Sequence, residues 1–83
     1  MNIFREILDT ASFTIIMYRI DDVLPTASPE DQAALQRMQD TNKLDEIYAI
    51  AHEHLGEPEE AAKLRAFMAQ QAKRPKPQPI FAD

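Results

Sequence analysis

The chain has 83 residues, 45% hydrophobic and 28% charged, with a net charge of −5, one glycine and no cysteine. That length allows one small domain of marginal stability, burying about 60–65% of its unfolded-chain surface. Without cysteine there is neither disulfide nor thiolate metal site, one glycine argues against a turn-rich β fold, and the negative charge opposes contact with a phosphate backbone while suiting a basic protein partner.

Residues 3–24, IFREILDTASFTIIMYRIDDVL, hold the densest apolar content. Phe4, Ile7, Leu8, Ala11, Ile15 and Tyr18 recur with the spacing of one helix face. A second set, Phe13, Ile16, Met17, Ile20 and Leu24, is also helically spaced but faces the other way. The pattern predicts one long helix over residues 2–24, ended by Pro25. The β-branched and aromatic residues 13–18 also suit a strand, but helical phase runs through them without Gly or Pro. A helix apolar on both sides is buried on both sides. The first set is therefore expected on the protein's own core and the second against a partner. The N-terminus does not read as a signal peptide, since Arg5, Glu6 and Asp9 precede a short apolar run. No stretch approaches the roughly 20 apolar residues of a membrane span. The expected location is the cytoplasm.

Ser28-Pro29-Glu30-Asp31 is a strong helix start: a capping hydroxyl, proline at the first position and acids in the first turn. This second helix carries Ala34, Leu35 and Met38. A straight continuation would put these opposite Leu44, Ile47, Tyr48, Ala51 and Leu55, and Asp40-Thr41-Asn42 are poor helix formers. A break is expected there, with a third helix over residues 42–55; one long helix over 29–55 is the alternative. Gly56 suits the left-handed residue after a helix. A fourth helix begins with Pro58 at its first position and acids in its first turn, and carries Ala61, Leu64, Met68 and Ala72, with Phe67 at its edge. From Pro75 the chain reads as a proline-rich extended tail ending in Ile80-Phe81. The expected organisation is a helical domain over residues 1–74 and a flexible tail over 75–83, either frayed or a short linear motif.

Reaction chemistry is not legible. His52-Glu53-His54 places its imidazoles at i and i+2, which face different sides of a helix and do not readily share an ion. Asp45-Glu46 and Glu57, Glu59, Glu60 read as solvated faces or helix starts, because glycoside chemistry needs carboxylates across a cleft. Ser12 and Ser28 belong to no triad pattern, and no glycine-rich phosphate loop is present. A helix-turn-helix role for the second and third helices would set Glu30, Asp31, Asp40, Asp45, Glu46 and Glu53 against Arg37 and Lys43, an unfavourable charge beside DNA.

Arg5-Glu6-Ile7-Leu8, Ala11-Ser12, Ile15 and Arg19-x-Asp21 resemble the first helix of the AsiA family of phage anti-sigma proteins. The resemblance covers about a quarter of the chain; Thr10 stands where the family has an aliphatic residue and Ile16 where it has a lysine. It implies a small acidic all-helical protein that binds region 4 of the housekeeping sigma factor with this helix and pairs with itself when free. Carried over by position, it implies a partner face containing Glu6, Thr10, Phe13 and Met17.

The expectation is thus an all-α bundle of about four helices, with a long N-terminal helix and a proline-rich tail. It needs no cofactor or metal, is not an enzyme, and binds and inhibits or adapts a partner protein through Glu6, Thr10, Phe13, Ile16, Met17 and Ile20. A homodimer is expected when free, with no nucleic acid or membrane contact. An obligate homodimer and a DNA-binding regulator are the rival readings.

Overall fold

Asn2 opens the first helix: its side-chain oxygen accepts the backbone N–H of Phe4 at 2.9 Å. In the computed structural model, which describes residues 2–73, this helix, α1, is short and spans Ile3–Leu8. The expected tail lies outside the described residues. Asp9 closes α1 by donating its N–H to the carbonyls of Arg5 and Glu6, and Thr10 Oγ1 donates to the Glu6 carbonyl at 2.9 Å. Ser12 then caps a new helix, α2 (Phe13–Val23), its hydroxyl accepting the Ile15 N–H at 3.3 Å.

The single helix expected over residues 2–24 is therefore two. Asp, Thr and Ser compete for backbone hydrogen bonds and favour caps over helix interiors. The chain also folds back at this break. Arg19 Nε reaches Glu6 Oε1 at 3.0 Å, whereas thirteen residues of straight helix would set their backbones roughly 20 Å apart.

Pro25 sits in a 3₁₀ turn, Leu24–Thr26, that follows α2 directly. Ser28 caps α3 (Pro29–Thr41), accepting the Asp31 N–H at 3.2 Å. The break expected at residues 40–42 is present, with Asn42 left-handed at φ 56°. α4 spans Leu44–His54 and ends in a Schellman motif: Glu57 N–H donates to the His52 carbonyl at 2.8 Å and Gly56 N–H to Glu53 at 3.1 Å. Gly56, at φ 78°, is the left-handed residue that this motif requires. α5 spans Pro58–Lys73. Among the described residues there are five α-helices, one 3₁₀ turn and no strand.

α4 is the central element, packed on α1, α3 and α5. Ile47, Ile50 and Ala51 meet Ile3, Phe4 and Ile7 of α1, Ile16 and Ile20 of α2, and Ala34, Leu35 and Met38 of α3 in one buried cluster. α5 lies mainly against α4 and buries only Ala61 fully. Leu64 and Met68 are half-buried, and Ala72, expected on the core stripe, is exposed. The helix is fastened by charge as well. Arg65 reaches Glu46 with two hydrogen bonds, at 3.1 and 2.6 Å, and Glu53 with a third at 2.6 Å. No helix of the described residues is long and apolar enough to cross a membrane.

Candidate protein-binding face

The six residues expected to meet a partner do not form an exposed face. Ile16 and Ile20 are buried at 1% and 0% exposure in the protein's own core, which corrects their assignment to an interface. Phe13 and Met17 are half-buried against the same cluster. Thr10 is half-buried, and its carbonyl accepts the Tyr48 hydroxyl at 2.7 Å. Glu6 is held by Arg19 through two hydrogen bonds, at 3.0 and 3.2 Å.

The residues expected in the core divide between core and surface. Phe4 and Ile7 are buried and Leu8 packs on the cluster. Ile15 and Tyr18, however, are 53% and 72% exposed, and Ala11 is exposed. The break at residues 9–12 is the cause. It resets helical phase, so the stripe that begins at Phe4 does not carry into α2. The stripe that seats α2 is Phe13, Ile16, Met17 and Ile20, and its opposite face is wet.

The exposed face of α2 therefore carries Thr14, Ile15, Tyr18, Asp21 and Asp22. Ile15 and Tyr18 stand one turn apart and are two of the three large exposed hydrophobic residues among the described residues; the third, Phe67 on α5, is 53% exposed. A shallow hollow beside them is lined by Tyr18, Arg19, Asp21 and Asp22. Arg19 lies 2.8 Å from Asp22, and its own charge is taken up chiefly by Glu6, whose hydrogen bonds hold the guanidinium above its ordinary pKa. Asp21 accepts the Gln39 side-chain amide at 2.6 Å. The residue signal for this face lay in Asp9, Thr10 and Ser12, the same capping chemistry that marks the break at Asp40-Thr41-Asn42.

The two histidines serve separate places. His54 stacks on Phe4, ring centroids 4.1 Å apart, with Nε2 2.7 Å from Asp31 Oδ1. His52 Nδ1 lies 2.8 Å from Glu57 Oε1, and Arg5 meets the other Glu57 oxygen at 3.3 Å. These contacts hold Glu57 below the usual carboxylate range, the His52 hydrogen bond foremost and Arg5 next. Among the described residues no three His, Asp or Glu side chains converge as metal ligands. The pairs tie the end of α4 to α3, α1 and the turn before α5.

Residues 5–21, expected to lie on one helix, run through most of α1, the break and most of α2. Compared with protein-family models, curated proteins and solved structures, the chain matches none.

Proposed function

We propose that this protein is a non-catalytic binding module that engages another protein, as an inhibitor or adaptor, through the exposed face of α2 around Ile15 and Tyr18. One observation carries the reading: two large apolar side chains stand in water one turn apart on a helix whose other face is seated on the core through Ile16 and Ile20. Large exposed apolar groups side by side mark contact sites on small proteins. An anti-sigma-like inhibitor of phage origin, acting in the cytoplasm, is the most concrete version. An obligate homodimer through the same face is the rival, since Ile15 and Tyr18 would serve either partner.

The test is a paired Ile15→Ser, Tyr18→Ser variant. It is expected to melt with the native chain and to lose a protein that the native chain retains from host lysate. Retention of the same proteins by both would remove the α2 face as the binding surface. Sedimentation at micromolar concentration addresses the rival: a dimer that the double variant abolishes, with no other protein retained, would favour the homodimer.

A further inference from the structure

We infer that the occupant of the α2 face is a basic amphipathic helix, with an apolar stripe over Ile15 and Tyr18 and an Arg or Lys side chain seated in the hollow between Tyr18, Asp21 and Asp22. The inference rests on the proposed use of this face and adds the chemistry of the partner.

Charge on the face is unbalanced. Among the residues lining the hollow, the one base is Arg19, already bound by Glu6 through two hydrogen bonds. Asp22 shares what remains of that guanidinium, and Asp21 receives only a neutral amide from Gln39. The hollow thus keeps negative charge beside an exposed aromatic ring, the surroundings that favour a cationic side chain.

The placement of these acids is also contrary to the needs of α2 itself. α1, α3, α4 and α5 all carry acids in the first turn, where the helix dipole favours them. α2 has none there and no base in its last turn, while Asp21 and Asp22 sit near its negative end. That arrangement disfavours the isolated helix and is relieved by a base from outside. A helix fits the apolar part, because residues at i and i+3 or i+4 cover a pair such as Ile15 and Tyr18 and carry a base one turn further to the hollow. A second copy of this chain fits less well, since each copy brings a net charge of −5.

The test uses fluorescence anisotropy with two labelled peptides of about five helical turns. Both carry the same leucine stripe, flanked by arginines in one and glutamines in the other. The arginine peptide is expected to bind about tenfold tighter at low salt, with the advantage shrinking as salt rises. Asp21→Asn with Asp22→Asn should remove most of that advantage and melt no lower than the native chain. Glu59→Gln with Glu60→Gln makes the same change of net charge at the start of α5 and should leave the advantage intact.

Equal binding of both peptides, lost with Ile15→Ser and Tyr18→Ser, would overturn the basic occupant and leave the face standing. An advantage that survives Asp21→Asn and Asp22→Asn would overturn it too, since overall charge would then suffice. Binding of neither peptide would overturn it, whether the chain sediments as a monomer or as a dimer that Tyr18→Ser dissolves; that dimer would make a second copy the occupant. Arginine-peptide binding unaffected by Ile15→Ser and Tyr18→Ser would sink the face itself.

Discussion

At the scale of single residues, neighbours along α2 have opposite fates. Ile20 is wholly buried among Phe4, Leu35 and the α4 side chains, while Ile15, five residues earlier, is half in water. Replacing Ile20 with Ala removes buried methyl groups and leaves a cavity, which costs about 2–5 kcal/mol. For a domain this small that is a large share of its stability. Ile15→Ala touches no core and should stay within about 0.5 kcal/mol. Denaturant titration of the two variants measures the difference. Equal losses would mean that α2 is buried on both faces. Tyr48 shows how a residue in one element secures the break in another: its hydroxyl donates to the Thr10 carbonyl at 2.7 Å, and burial pushes its pKa up, with Asp45 adding to the shift.

At the scale of elements, α5 is joined to α4 by ion pairs as well as by packing. Ala61 alone is fully buried, while Leu64 and Met68 are half-buried and contribute in proportion to the apolar area they lose to water. The Arg65 guanidinium bridges Glu46 and Glu53, seven residues apart on α4 and hence on one face of it. These hydrogen bonds raise the Arg65 pKa and hold the Glu53 carboxyl below the usual range, with Arg37 adding a smaller pull at 3.9 Å. Such bonds are strong for surface contacts, but the side chains are about one-third exposed and solvent screens them. Arg65→Met should cost about 1–2 kcal/mol. Its signature in hydrogen exchange is loss of protection over Pro58–Lys73 with α3 and α4 little changed. Uniform loss across all helices would contradict a local clamp.

At the scale of the whole molecule, the carboxylates that join elements set the response to acid. Glu53 and Glu57 both have folded pKa values below the ordinary 4.5. Their ionised forms therefore favour the fold. The stabilisation is present above about pH 4.5, the unfolded value, and is lost as pH falls through the folded values. The melting temperature should accordingly decline below about pH 4.5. In Glu53→Gln, which has no proton to gain, the decline should be shallower. A profile of the same slope in both proteins would show that other groups govern acid unfolding.

The sequence by itself determined the all-helical class, because helical periodicity, proline starts and the single glycine are local signals. Ser28-Pro29 opened α3, Asp40-Thr41-Asn42 broke it from α4, Gly56 closed α4 and Pro58 opened α5, each through backbone hydrogen bonding within a few residues. Ala34, Leu35, Met38 and Ile47 were legible as core for the same reason. In the opening quarter of the chain an unbroken apolar pattern masks the break, because the capping strength of Asp9, Thr10 and Ser12 is only about 1 kcal/mol. Only the tertiary structure decided which side of α2 is dry. Two helically spaced apolar sets were present, and the direction in which the chain folds back after Asp9, tied down by Arg19 on Glu6, set Ile16 and Ile20 inward and left Ile15 and Tyr18 in water. Periodicity defines faces relative to one another; which face is buried depends on where the neighbouring helices lie, and that is a property of the assembled bundle.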